Sequence, residues 1–469
     1  MSDAGYMPTS SDTVARLLGR WREGPGPAHQ RLTDSLRLLI LDGRLVLGAS
    51  IPGERDLAAH LGVSRTTVST AYRALIDQGY LTTRPRAKAV VRLPAKPTPV
   101  QSSAEWDDLI DLSRGAPTAP VKVLHHAYRV ALEQLPRYFG DRGYDALGLP
   151  ALREAVSRWY EGRGVPTSPD QILITNGAQH ALSLIVHSFV SPGDQVVIDH
   201  PTYPHAISRL ASGRARFVPV ALTQEGWDVA RLRAASAGAR FTYLILDNHN
   251  PTGLTMPSAV RANLNLNCLA IVDETMADLC LDGTPATAFA FYDRRTISIG
   301  SVSKSIWGGL RIGWVRAPTE TVQQLAHTRS ALDLGTPYVE QIAAASLLDG
   351  LDDFLPQRLE QLREQRKRLM SGLSRNLPSW QAPVPAGGIS LWATMPTALS
   401  TRLAAVAPDH GLLLAAGPRF SPVGAFERHV RLPYTLGGDV LDTATARLSN
   451  AFQALTDGRR GRHDPAPIA

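Results

Sequence analysis

The 469-residue sequence predicts two unlike folded parts, a small and mainly α head and a large α/β body built on a mostly parallel sheet. Three observations carry this expectation. Between residues 29 and 92, short helical patterns punctuated by glycine end in what reads as a small hairpin. Residues 93–106 hold three prolines and no hydrophobic period, the mark of a stiff, extended linker. From residue 107 to 455, β-branched runs alternate with longer helical patterns, which implies crossover units with helices on both faces of one sheet. An N-terminal extension (1–28) and a polar tail (456–469) complete the division.

Composition narrows the class. Hydrophobic residues make up 44% of the chain and charged ones 19%, ordinary for a soluble globular protein. No apolar run approaches the roughly 18 residues of a membrane span. Met1 to Ser11 lacks the basic start and apolar core of a signal peptide. The two cysteines, Cys268 and Cys280, argue against a disulfide framework, have no companions at zinc-site spacing and fit a reducing compartment. A cytoplasmic location is expected. Of the formal net charge of +7, +6 falls within residues 1–100, so the basic part is the head, and a polyanion is its expected partner.

In the extension, Val14, Leu17 and Leu18 hint at a short amphipathic helix. Gln30 to Leu41 places Leu32, Leu36, Leu39 and Ile40 at helical spacing and stops at Asp42-Gly43. Pro52-Gly53-Glu54 opens a second helix with Leu57, Ala58 and Leu61 inward; Gly62 breaks it and Ser64 caps a third, which runs to about Asp77 and buries Val68, Ala71, Leu75 and Ile76. A helix, a glycine-containing turn and a capped helix form a helix-turn-helix pattern. The third helix exposes Ser64, Arg65, Thr66 and Thr67, groups suited to base edges and phosphates. Leu81 to Val91 then reads as two short strands around a tip carrying Arg84, Arg86 and Lys88, suited to DNA backbone.

The string IPGERDLAAHLGVSRTTVSTAYRALIDQGYL resembles the winged helix-turn-helix of the GntR family over some thirty consecutive positions. The resemblance implies that Arg55, Ser64, Arg65, Thr66 and Thr67 face DNA. That family's wing tip usually holds glycines; here it reads Pro85-Arg86-Ala87-Lys88, and phosphate contact is the expectation that remains.

In the body, strands are expected at 172–175, 195–199, 241–246, 269–273 and 296–300. The last leads into Ser301-Val302-Ser303-Lys304-Ser305, where a lysine after a buried strand can lose its proton and form an imine with an aldehyde. Arg311, seven residues on, is a cation suited to phosphate. Asn176-Gly177-Ala178-Gln179 opens a helix whose N-terminus is an anion site. Tyr203 lies in a loop after another strand, available to stack on a heterocycle. Asn250 can donate a hydrogen bond, and Asp273 ends its strand with a carboxylate able to pair with a protonated ring nitrogen. Ligands gather at such strand ends in open α/β sheets.

This set resembles the fold-type-I aminotransferases, which implies a pyridoxal phosphate-dependent transferase fold with a smaller C-terminal α+β subdomain. By that resemblance Lys304 forms the Schiff base with pyridoxal 5'-phosphate, Asp273 holds the pyridinium, Asn250 meets the ring oxygen and Tyr203 stacks on the ring. Gly177, Ala178, Ser301, Ser303 and Arg311 hold the phosphate, joined by Tyr144 from a partner subunit, and Arg431 binds a substrate or effector carboxylate. One departure stands out. Aminotransferases carry a tyrosine two or three residues after the aspartate, whereas this chain reads Asp273-Glu274-Thr275-Met276.

A GntR-type head before such a body is the arrangement of the MocR subfamily, whose members are homodimeric transcription regulators. The resemblance implies sensing of an amine, an amino acid or pyridoxal phosphate itself, without physiological turnover. Two alternatives stay open: a working aminotransferase with a DNA-binding head, and a DNA-binding protein whose body is an inert dimerisation platform.

Overall fold

The computed structural model describes residues 9–24, 26–83, 88–94 and 109–457. The wing-tip residues Arg84 and Arg86 and most of the expected linker lie outside the described residues. In the head, Ser10 caps α1 (Ser11–Leu18) by accepting from Thr13 N, and Val14 and Leu18 turn into the head's core beside Trp21. α2 (Ala28–Leu41) buries Leu32, Leu36, Leu39 and Ile40 and ends on Asp42. α3 (Glu54–Leu61) is stopped by Gly62 in the left-handed region, which only glycine enters without strain. α4 (Arg65–Asp77) is capped by Ser64. Its buried face is Val68, Ala71, Tyr72 and Leu75. Tyr72 takes the inward place expected of Ile76, because its hydroxyl finds an acceptor in Pro52 O at 2.9 Å while Ile76 stays half-buried. β1 (Leu81–Thr82) and β2 (Val90–Val91) form the antiparallel wing.

The body contributes β3 (Ile110–Leu112), β4 (Ile172–Thr175), β5 (Gln195–His200), β6 (Arg216–Thr223), β7 (Gly226–Trp227), β8 (Phe241–Leu244), β9 (Leu269–Asp273), β10 (Ile297–Ser301), β11 (Gly313–Arg316), β12 (Ser390–Thr394), β13 (Leu412–Ala416) and β14 (His429–Pro433). The large sheet has the order β4-β11-β10-β9-β8-β5-β6-β7. Its run from β10 to β6 is parallel, as the alternation predicts, but β11 lies antiparallel between β10 and β4. The stretch expected as a strand over 241–246 ends at Leu244, because Ile245 N leaves the ladder and donates to the buried Asp199 carboxylate at 3.0 Å. Alternate strand residues serve opposite faces: Val196 and Ile198 join one core, Val197 the other.

A smaller sheet, ordered β12-β14-β13-β3, packs with the long helix Leu351–Asn376 and the helix Gly438–Asp457 into a separate core. The head rests on this smaller unit. Gly19, at φ +53°, and Gly24, at φ +102°, lie so close to Val423 O and Ala398 O that a side chain at either would collide with backbone. Asp34 and Asp42 of the head lie 3.9 and 2.9 Å from Arg402 and Arg419 of the body.

Candidate cofactor site and nucleic-acid interface

The C-terminal ends of β8, β9 and β10 open onto a cavity of about 310 Å³ between the two sheets. Lys304 reaches it from the helical turn Ser303–Trp307, directly after β10. Its Nζ donates to Gly115 O at 2.6 Å. Burial, reinforced by the positive fields of Arg431 and Arg311, brings its pKa from 10.5 down to about 8, although Asp273 pulls the other way. Capture of an aldehyde needs the neutral amine, so protonation blocks it. The rate at which cofactor-free protein forms a borohydride-trappable adduct with pyridoxal phosphate is therefore expected to rise with pH through a midpoint near 8. A midpoint near 10.5, followed by stopped-flow absorbance and mass mapping, contradicts this electrostatic account.

Asp273 is held at both oxygens. Oδ2 accepts from the Tyr243 hydroxyl at 2.7 Å and Oδ1 from Thr275 N at 3.0 Å, which fixes the carboxylate at the cavity wall. Arg311, on the short connection between β10 and β11, adopts φ +53° and donates to Asn176 O and Gly308 O, each at 3.3 Å. A Cβ on Gly177, at φ +85°, would sit 2.6 Å from Arg311 Nη2, so the guanidinium occupies space that only glycine leaves open. Next to it begins the helix Ala178–Phe189, whose first residues Ala178 and Gln179 line the cavity. Cation and helix N-terminus together make an anion-holding end.

The opposite wall comes from the smaller sheet. Arg431, in the central strand β14, is buried, with its guanidinium carbon 5.2 Å from the Phe420 ring centroid. Its Nη1 donates to Asn250 Oδ1 at 3.3 Å and Nη2 to Ser113 O, while Nε has no partner among the described residues. Burial lowers its pKa to about 10. Because Asn250 spends its oxygen on Arg431, its NH₂ is the donor end left for a ligand. Tyr203 lines the cavity, hydrogen-bonded to Gln179, with burial raising its hydroxyl to about 12.

Of the residues expected at a cofactor, Lys304, Asp273, Asn250, Tyr203, Ala178, Ser301, Ser303, Arg311 and Arg431 line this one cavity, and Gly177 backs Arg311. The Ser301 hydroxyl is engaged locally, donating to Ile312 O at 2.8 Å and accepting from Ser303 N at 3.2 Å. Tyr144 is exposed and lies outside the cavity of its own chain. Sequence reasoning missed Tyr243, Gly115 and Arg419, and named Gln179 only as part of a helix start. A tyrosine inside the apolar run FTYLIL was a usable signal, since a buried hydroxyl requires a partner.

In the head, Arg55, Ser64, Arg65, Thr66 and Lys88 are exposed and Thr67 is half-buried. Ser64 Oγ accepts from Thr67 N at 3.1 Å and lies 2.9 Å from Thr67 Oγ1, so these two hydroxyls serve the cap, and Arg65 Nε lies 3.2 Å from Glu54 Oε2. Of the residues expected to face DNA from the two helices, that leaves Arg55, Arg65 and Thr66 exposed and outside the cap.

A depressed amine, a pinned carboxylate, a glycine-shaped cradle for a guanidinium and an orphaned buried arginine N–H fit an aldehyde that carries a phosphate and a basic ring nitrogen. The fold and this donor set define a pyridoxal phosphate-dependent protein of the aminotransferase type. Comparison with known proteins agrees: the family described as "Aminotransferase class I and II" matches residues 107–437, and "Bacterial regulatory proteins, gntR family" matches residues 28–91. The chain belongs to the aminotransferase class I and II family and carries a GntR-type head in front of it, the arrangement of the MocR-type regulators. It is 29% identical to the HTH-type transcriptional regulator YdcR of Escherichia coli, over 86% of this chain and 94% of that protein. To the vitamin B6 salvage pathway transcriptional repressor PtsJ of Salmonella typhimurium it is 28% identical, over 91% and 99%. Among solved structures, the multiple substrate aminotransferase of Thermococcus profundus superposes with a TM-score of 0.68 at 25% identity, covering 78% of this chain and 98% of that one. The protein is thus a regulator of the GntR type fused to an aminotransferase-like domain, and its fold implies pyridoxal phosphate as cofactor. Among the described residues, no helix is long and apolar enough to cross a membrane.

Proposed function

We propose that the protein works as a homodimer that senses an amine, an amino acid or pyridoxal phosphate itself in the cavity and converts occupancy into a change in how two heads engage a double-stranded operator. The observation that supports this reading best is positional. Arg431, suited to an effector carboxylate, belongs to the same small unit on which the head rests, through Gly19, Gly24 and Asp42. A ligand that shifts this unit shifts the head with it, and only to the extent that it prefers one arrangement over the other. A coupling of ~1–3 kcal/mol changes operator affinity roughly 5–150-fold. PtsJ, named for vitamin B6 salvage, keeps the cofactor itself among the candidate effectors.

In this reading Lys304 supplies the amine that anchors the cofactor, Asp273 faces its ring nitrogen, Asn250 its ring oxygen and Tyr203 its ring face. Arg311, Gly177, Ala178 and Ser303 surround the phosphate, with Ser301 positioning Ser303 from beneath. Bound there, pyridoxal phosphate supplies an aldehyde that amines capture and an electron-withdrawing ring. Thr275 and Met276 stand where aminotransferases place a tyrosine, which leaves the ring oxygen one donor short and favours sensing over turnover. Dimerisation is supported by exposed apolar side chains in two adjoining segments: Phe139 and Tyr144 in one, Leu332 and Leu334 in the other. The segments are joined by the Tyr338 hydroxyl donating to Asp141 Oδ2 at 3.0 Å. The expected result of borohydride reduction and peptide mapping is a pyridoxyl adduct on Lys304, together with an amine-dependent shift in operator affinity. An adduct elsewhere, or none, removes the cofactor from the switch.

A further inference from the structure

With Arg431 suited, in the reading above, to an amino acid's carboxylate and the cofactor aldehyde held by Lys304 suited to its amine, the amino acid's side chain still lacks a partner. Resting on that reading, we propose that Arg419 is a second anion-recognition residue, that it selects amino acids bearing a side-chain carboxylate, and that it takes this carboxylate in exchange for Asp42 of the head.

Arg419 is placed to do both. It lies in the turn Gly417–Phe420 after β13 and lines the cavity, and its Nε is 2.9 Å from Asp42 Oδ1 at the end of α2. One guanidinium therefore touches the ligand space and the head. The cavity's charges are lopsided. Among the described residues, Arg114, Lys304, Arg311, Arg419 and Arg431 line it, against Asp273 as the acid. Arg311 is committed to phosphate and Arg431 to an α-carboxylate, while Arg114 is exposed and 3.4 Å from Asp111. Arg419 is the cation left over. Its field reaches the same space, since after burial it contributes to lowering the pKa of His205 and also lowers that of Arg431.

The contact it would give up is a poor one. Neither Arg419 Nε nor Asp42 Oδ2 has a well-formed hydrogen bond among the described residues, so the pair is close but badly aligned. Burial pushes Asp42 above the usual carboxylate range despite two arginines. The second of these, Arg44, acts on Asp42 through its charge and has a buried Nη2 without a hydrogen-bond partner among the described residues, so a cation remains near Asp42 when Arg419 turns inward. A side-chain carboxylate offers Arg419 the two-oxygen partner that a guanidinium fork prefers. Amides of the same shape do not.

The test uses full-length protein loaded with pyridoxal phosphate, titrated with L-aspartate and L-glutamate against L-asparagine and L-glutamine. Cofactor absorbance reports binding, and operator affinity reports the head. At least one acid is expected to bind about tenfold or more tightly than its amide. Arg419→Gln brings that ratio to near one. Asp42→Asn, which removes the competitor, tightens acid binding several-fold and weakens the acid's effect on operator affinity. A wild-type ratio near one, or a ratio that survives Arg419→Gln, overturns the proposal while leaving amine sensing intact. If neither acids nor amides change the spectrum although borohydride marks Lys304, amino-acid sensing itself falls, and this proposal with it.

Discussion

Lys304→Ala is expected to yield a protein that still grips operator DNA but no longer answers any amine. The amine makes one described hydrogen bond, to Gly115 O, so its loss orphans a single carbonyl at a cost of about 1–3 kcal/mol, and the fold persists. Pyridoxal phosphate then has only non-covalent holds, the anion end around Arg311 and the carboxylate of Asp273, and borohydride leaves no adduct on the protein. Effector-dependent change in operator affinity, roughly 5–150-fold in a typical coupled system, drops to none. The same variant separates the regulator from a working aminotransferase: an enzyme loses its turnover, whereas a regulator has no physiological turnover to lose and loses its response. Electrophoretic mobility shifts with and without amines are the direct readout. A Lys304→Ala protein that keeps its amine response shows that sensing lies elsewhere.

Arg65→Ala is expected to abolish operator selection in a folded protein. Arg65 begins α4, the exposed second helix of the pair, and its partner Glu54 lies 3.2 Å away with both side chains substantially solvated. An exposed pair of this kind is worth about 0–1 kcal/mol, so stability changes little. Each base contact carries ~1–3 kcal/mol of discrimination, and two heads on two half-sites double it. Loss of one guanidinium per head therefore weakens specific binding by roughly 30-fold or more while non-specific affinity falls modestly. Competition footprinting over a range of salt separates the cases. If Arg65 only touches phosphate, specific and non-specific binding weaken together and the salt slope falls by about one per contact. An unchanged footprint places the reading surface on another element.

The place of Lys304 and Asp273 was legible in the sequence because each follows a recognisable apolar run, and strand ends are where an open α/β sheet exposes side chains. The head was legible for a related reason: Ser64 is a cap and Gly62 a left-handed stop, and both act locally. What stayed hidden depends on distant partners. β11 is four residues of mixed character, and its antiparallel insertion is decided by β4 and β10 on either side. Tyr243 takes meaning only from Asp273, thirty positions on, which the sheet brings within 2.7 Å. Arg419 looks like any surface arginine until α2 is set against it. The expected inward place of Ile76 went to Tyr72 because periodicity ranks greasiness, while the packed head rewards a hydroxyl with an acceptor.

The antiparallel course of β11 has a mechanical corollary. Because the chain returns antiparallel beside β10, Lys304 and Arg311 belong to one connection, two helical turns long, that is held at both ends by neighbouring strands of the same sheet. In the proposed reading, both ends of the cofactor are thereby moored to one block. Arg431 and Arg419 hang from the other block, the one that carries the head. Under the sensing proposed above, a molecule anchored to the cofactor and stretched toward those arginines would gauge the gap between the two blocks, its length setting how far the reading heads are drawn.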